Sequence, residues 1–441
     1  MSIHSQPLRS SGFLGAWGRV VGADDIPPIP RRRGRNPRVP LTDLLAALTF
    51  HVMQTAGTLS EHFAELFGAH FADSSWADRR ARLPWTIFAE LMRRVLRPVA
   101  TSDTHGEAFW RRWRILALDG SQFSVSNTPA IRRRVVKART RRGRAAFAKL
   151  TTTVLLEVGV HNPLAAAIGR AGESEWALAL QVLGQLPPGA LVLADRLYGV
   201  AAFLGPLRAA CDTVGSHFLV RARPDVQIGV VHRLADGSRL IGIALRDGQR
   251  PAQIREWLQL REIRVKVGRV GHRATVLRLW TDLLDPQDAP ALELAQLYAR
   301  RWEHELYFRE LKRQLRKTDL LQSHTLDTAA QEIAAIILAS AVLAAERTRA
   351  ADGEVPVLRL KFGRVLQVAQ AMWFTVAMCD DVLTDEQIQT MLTRSYERMR
   401  QWVTRPKRSR TCPRAVRQPT KAWPRLMHAE SIEGPLEFHL V

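Results

Sequence analysis

Cysteine is close to absent from this chain, and the three that occur, Cys211, Cys379 and Cys412, stand far apart. An odd and scattered set excludes a disulfide framework and a zinc knuckle. An apolar signal core near the N-terminus is missing too. The longest charge-free apolar run, Ile333 to Ala345, is too short to cross a bilayer. A soluble, cytoplasmic protein is expected. There is no internal repeat, no heptad helix and no secure helix-turn-helix. Acid is the scarce charge: 42 Asp and Glu stand against 64 Lys and Arg, a formal +22 over 441 residues. Such a field attracts polyanions, nucleic acid above all, although a ribosome- or membrane-associated protein would carry it as well.

What is present changes texture along the chain. Residues 1–40 are rich in Gly, Pro and Arg and read as a flexible basic arm. Residues 41–112 show apolar spacing of three and four and predict a small all-α domain. From 113 to 224 the pattern is α/β. "RILALDG" and "SQFSVS" read as two strands joined at Asp119-Gly120, and Lys149 to Val160 as a third strand. A helix follows at about Ser174 to Gln185. "GALVLADR" is a buried central strand, because its apolar run is continuous. Residues 225–285 read as a β-rich insertion. Residues 286–350 hold two long helices, about Pro290 to Lys317 and Asp327 to Ala350. Residues 351–441 read as C-terminal helices and a basic tail.

The helix from Pro290 carries three glutamates in "YARRWEHELYFRELKRQL". At about 100° per residue, Tyr298, Arg301, Glu305 and Lys312 fall on one face, and Glu303 and Glu310 on the other. An exposed, ion-paired surface accounts for Glu303 and Glu310. It does not predict a Tyr, an Arg and a Lys flanking Glu305. Asp119 and Asp195 each end an apolar strand, where an ionised carboxylate is costly unless paired or metal-bound. Two Asp from neighbouring strands and a Glu from a later helix can hold two divalent ions, with Mg²⁺ suited to such oxygen ligands and Mn²⁺ able to substitute. Arg301 and Lys312 would clamp phosphates.

The spacing Tyr298, two residues, Arg301, three residues, Glu305, six residues, Lys312 resembles the signature of the insertion-sequence-four family of bacterial DDE transposases. Asp119, Asp195 in "LADRLYG", the "AAFAKL" segment and "CPRAVRQP…WPR" extend the likeness over most of the chain. The resemblance implies a ribonuclease-H-like core interrupted by the β-rich insertion, with Asp119, Asp195 and Glu305 as acidic triad. It also implies excision through double-strand breaks, with recognition of terminal repeats by the N-terminal helices. In relatives a Trp of the insertion holds a flipped base during hairpin formation; Trp257 and Trp280 are both open candidates.

One further segment, Arg132 to Lys149, has nine Lys or Arg and no acid. Such a run is often a solvated loop. Between two core strands, phosphate contact through Arg132, Arg133, Arg134, Lys137, Arg139, Arg141 and Arg142 is the expectation. The reading is therefore a Mg²⁺-dependent cut-and-paste transposase acting on double-stranded DNA at the nucleoid, as a homodimer on paired ends. A catalytically silent DNA-binding relative and a structure-specific nuclease are its rivals.

Overall fold

The computed structural model describes residues 12–28, 39–137, 139–140, 143–170, 172–226, 228–246, 253–268, 275–316, 318, 320–379, 382–404 and 437–440. They divide into two compact units. The first comprises Met1–Asp195, Pro206–Phe218 and Arg300–Val403; the second comprises Arg196–Gly205, Leu219–Ala299 and Thr404–Val441.

The first unit begins with helices α1 (Gly12–Val20), α2 (Leu41–His51), α3 (Leu59–Phe67), α4 (Asp73–Arg82) and α5 (Trp85–Val95). Helix α1 lies within the stretch expected to be a flexible arm. Its Phe13 and Trp17 are buried, and Phe13 meets Trp373 edge-on at 5.3 Å, so burial rather than local composition decides this segment. Helix α3 shows how local sequence sets an element. The Thr58 hydroxyl accepts from the Glu61 N–H, the Glu61 carboxylate accepts from the Thr58 N–H, and Gly68 ends the helix at φ 66°.

Next come the short β1 (Phe109–Trp110) and the long β2 (Trp113–Val125), then α6 (Pro129–Arg132) and the two-residue strands β3 (Arg139–Thr140) and β4 (Gly143–Arg144). Strands β5 (Ala148–Glu157) and β6 (Asn162–Ile168), helix α7 (Glu175–Leu183) and strand β7 (Ala190–Ala194) follow, and the strands lie in the order β6-β5-β2-β7 within an 11-stranded sheet. The pairs β6–β5 and β5–β2 are antiparallel, and β2–β7 is parallel. One expectation fails here and one strand was missed. Strand β2 runs unbroken through Asp119-Gly120, paired to β5 along both residues. The strand expected at 149–160 and the helix expected at about Ser174 to Gln185 are present as β5 and α7, but between them the chain turns back at His161, φ 54°, into β6, which sequence reading missed.

Helix α8 (Ala201–Val214) and strand β8 (His217–Arg221) straddle the division. The second unit adds the antiparallel strands β9 (Gly229–Arg233), β10 (Arg239–Arg246), β11 (Ile254–Gly268) and β12 (Thr275–Thr281), with β13 (Glu437–Leu440) beside β11. Its turn at Asp236-Gly237 is tied to helix α9 (Ala291–Tyr298). Asp236 accepts from the Ala291 N–H at 3.1 Å and pairs with Arg261, a fully buried guanidinium that also donates to the Ala289 carbonyl at 2.6 Å.

The expected single helix from Pro290 to Lys317 is wound in several ways. After α9 come a tight turn at Ala299–Arg301, helix α10 (Trp302–Arg309) and a π-helical stretch, Glu310–Leu315. Helix α11 (Leu326–Ala351) is long and apolar enough to cross a membrane, but it is buried inside the first unit. There it touches α1, α2, α5 and β6, so the N-terminal helices share its core rather than forming a separate domain. Helices α12 (Phe362–Cys379) and α13 (Asp385–Arg400) close the unit.

Candidate active site

Strands β2 and β7 stay in parallel register up to Leu118–Ala194. The next residue along each is an aspartate: Asp195 directly follows the end of β7, whereas Asp119 lies in the middle of β2 and not, as expected, at a strand end, so the register sets the two side by side where β7 stops. On its other side Asp119 faces Val154 of β5. The Asp119 side chain is 16% exposed. Burial is the main force pushing its carboxyl up to about 7; Arg301 pulls it down, while the charges of Asp195 and Glu175 push it further up.

Glu175 is a residue that sequence reasoning missed. It opens α7 behind the Ser174 cap, and its carboxylate fills the space that a Cβ on Gly120 would need. Gly120 therefore marks a close approach within a strand and not a turn. No local pattern distinguishes the two, because the partner lies in another element.

Arg301 joins the two sides of the site. Its Nη1 donates to Asp119 Oδ2 at 3.0 Å and its Nη2 to Glu305 Oε1 at 2.9 Å. Lys312 Nζ donates to Ser121 Oγ at 2.6 Å and to the Gln122 carbonyl at 2.8 Å, and lies 4.9 Å from the Phe123 ring centre. Tyr298 ends α9 in the second unit, with its side chain buried.

Glu303 of α10 and Glu310 of the π-helical stretch both turn to His161, away from Arg301, and not to the exposed surface that was expected. His161 Nδ1 meets Glu310 Oε2 at 2.7 Å and its Nε2 meets Glu303 Oε2 at 3.2 Å; Arg347 reaches Glu310 from behind at 3.4 Å. Burial favours neutral His161, yet the two carboxylates outweigh it and raise its pKa. Burial likewise opposes the Glu310 charge, and His161 and Arg347 outweigh it to lower that pKa. Between these glutamates His304 is fully buried, with its Nε2 2.9 Å from the Val154 carbonyl. Burial holds its pKa down at about 3. The ring is therefore neutral, with the proton on Nε2 donated to that oxygen.

In the basic segment Arg132, Arg133 and Arg134 are exposed, and Lys137 Nζ donates to the Ala146 carbonyl at 2.7 Å. Arg139 begins β3; Arg141 and Arg142 lie outside the described residues. Of the two tryptophan candidates, Trp280 is fully buried and donates to Glu262 at 3.1 Å, whereas Trp257 is 58% exposed on β11.

Carboxylate oxygens are the donors at this site, which suits a hard divalent cation such as Mg²⁺. Burial keeps the Asp119 pKa raised despite Arg301. Among the described residues no three His, Cys, Asp or Glu side chains converge on one point; Arg301 holds Asp119 and Glu305 instead.

Residues 110–342, more than half of the chain, match the family described as "Transposase DDE domain". Similarity also extends to Transposase InsG for insertion sequence element IS4 of Escherichia coli (strain K12), 26% identical over 255 residues, which are 57% of this chain and 56% of that protein. The chain thus spans little more than half the length of this curated relative. Asp119, Asp195, Arg301, Glu305 and Lys312 all fall within the matched residues, and the chain belongs to the DDE transposase family as a distant homologue of the IS4 transposase InsG.

Proposed function

We propose that the chain carries out metal-dependent cut-and-paste transposition of an insertion sequence, with Asp119, Asp195 and Glu305 as its acidic triad. The observation that carries this reading is the single guanidinium joining Asp119 to Glu305, level with the end of β7 that Asp195 follows. A ribonuclease-H-like core interrupted by a β-rich insertion is supported by the order β6-β5-β2-β7, with only the last strand parallel to β2.

The triad would hold Mg²⁺, or Mn²⁺ in its place, which supplies an activated water or 3′-hydroxyl and stabilises the leaving oxygen of a phosphodiester. The remaining work falls to the chain. Arg301 neutralises Asp119 and Glu305 in the free protein and turns to backbone phosphate when DNA and metal arrive. Lys312, held by Ser121 and the Gln122 carbonyl of β2, takes a backbone phosphate, while Tyr298, expected to contact DNA, is buried and has a packing role. The arginines around α6 take further phosphates. Helices of residues 41–112 recognise the terminal inverted repeats, and two copies pair the ends.

The test is excision from a supercoiled plasmid in which the gene's own flanking inverted repeats bracket a marker. Wild type should release the marker in Mg²⁺ and fail in EDTA, and Asp119→Ala and Asp195→Ala should bind ends without cutting. Binding without cutting by wild type would indicate a silent relative; cutting without strand transfer would indicate a nuclease.

A further inference from the structure

Glu305 must be held at a fixed distance from Asp119 for the proposed site to work, and hydrophobic packing alone is a poor way to hold it. Burial of apolar surface is non-directional, so by itself it fixes the distance between two polar groups less sharply than a hydrogen bond does. Helix α10 has a directional contact at the needed place. His304, the residue before Glu305, reaches the Val154 carbonyl with Nε2 at 2.9 Å. Val154 is the residue of β5 directly across from Asp119 in the β2–β5 register. One hydrogen bond therefore connects the immediate neighbour of one carboxylate to the cross-strand partner of the other.

Several features mark this bond as built. The His304 side chain is fully buried, and its Nδ1 has no hydrogen-bond partner among the described residues. A buried imidazole with one nitrogen unpaired costs free energy that a leucine would avoid. A carbonyl oxygen has two lone pairs, so it can accept from a side chain above the sheet as well as within the ladder. The rings of Tyr307 and Phe308 pack against the imidazole at 5.9 and 4.9 Å and fix its plane. A neighbouring face of α10 and of the π-helical stretch after it is held by His161 through Glu303 and Glu310, which restrains rotation about the helix axis.

We propose that His304 is a positioning residue that sets the placement of Glu305 against Asp119 through the Val154 carbonyl. The inference rests on the triad reading above. It concerns geometry alone: His304 touches neither substrate nor metal and transfers no proton. An error of about 1 Å in such a site can cost on the order of 100-fold in rate, so one hydrogen bond at this point has a large effect on chemistry.

The test compares His304→Leu, His304→Gln and His304→Asn in the full chain. A glutamine can place its amide N–H near the position of Nε2, whereas an asparagine is too short. Two quantities are measured: Mn²⁺ affinity by electron paramagnetic resonance with the metal alone, and single-turnover cutting of the plasmid described above at saturating Mg²⁺. End binding and melting temperature are followed in parallel. His304→Leu and His304→Asn should lose about 10- to 100-fold in Mn²⁺ affinity and cutting rate with end binding unchanged, and His304→Gln should recover most of both. If His304→Leu does not fold, the Gln and Asn variants decide. Wild-type Mn²⁺ affinity and cutting in His304→Leu overturn the proposal. So does a loss in Gln equal to that in Asn and tracking melting temperature, which is the mark of a merely structural role. A wild type that neither binds Mn²⁺ nor cuts removes the triad reading itself; an active wild type with indifferent variants removes only the role of His304.

Discussion

Asp119 and Glu305, far apart in the chain, are held at the two ends of one guanidinium: Arg301 donates to the first at 3.0 Å and to the second at 2.9 Å. Arginine and a divalent cation compete for the same oxygens. Arg301→Gln should therefore destabilise the metal-free protein, by about 2 kcal/mol for broken charge-assisted hydrogen bonds. Mn²⁺ should raise the melting temperature of this variant more than that of wild type. Thermal melts across a Mn²⁺ titration check this; equal shifts would show that arginine and metal do not compete.

The three glutamates of the α10 region should separate by phenotype. Glu305→Gln should lose cutting by orders of magnitude with little change in folding. Glu310→Gln breaks a buried pairing with His161 and Arg347 and should cost about 3–5 kcal/mol of stability. Glu303, 30% exposed at its side chain, should cost less than Glu310 when changed to Gln. Urea denaturation and single-turnover cutting, measured on the same preparations, distinguish the three.

His161 makes stability depend on pH. Its pKa is raised above the usual 6.5 in the folded state. The folded protein therefore binds this proton more tightly than the unfolded chain does. That stabilisation is fully present below about pH 6.5 and is lost as pH rises through the folded value. Denaturation midpoints should fall on the alkaline side in wild type and change less in His161→Gln. A steeper alkaline loss in the variant would contradict this.

Gly120 has no room for a side chain, because Glu175 stands where its Cβ would be. Gly120→Ala should cost about 1–3 kcal/mol through overpacking. Pairing it with Glu175→Ala should recover much of that cost, so a double-mutant cycle should show coupling between the two positions. Strict additivity would mean that β2 accommodates the methyl group in some other way.

Exposed arginines beside α6 offer a test in salt. Neutralising Arg132, Arg133 and Arg134 together should weaken binding to all duplex sequences alike. The slope of log K against log salt should shrink by about 0.9 for each phosphate that the protein no longer neutralises. An unchanged slope would make this segment a solvated loop.

Much of this protein is legible locally. The apolar run of β7, the spacing in α5 and α11, the Thr58–Glu61 cap and the phase that sets Glu305 apart from Glu303 and Glu310 all depend on residues within a few positions of each other. What tertiary structure alone decided are partnerships between distant segments. Asp119-Gly120 has the composition of a turn, and only Glu175 from α7 turns it into a close approach within a strand. Glu310 has the composition of a surface residue, and only His161 and Arg347 make its charge tolerable inside. The same holds for His304, whose partner is a backbone carbonyl with no side-chain identity to read. Propensity and periodicity are written over one or two turns of chain; the desolvation and pairing of a buried polar group depend on which distant atoms the fold brings to it.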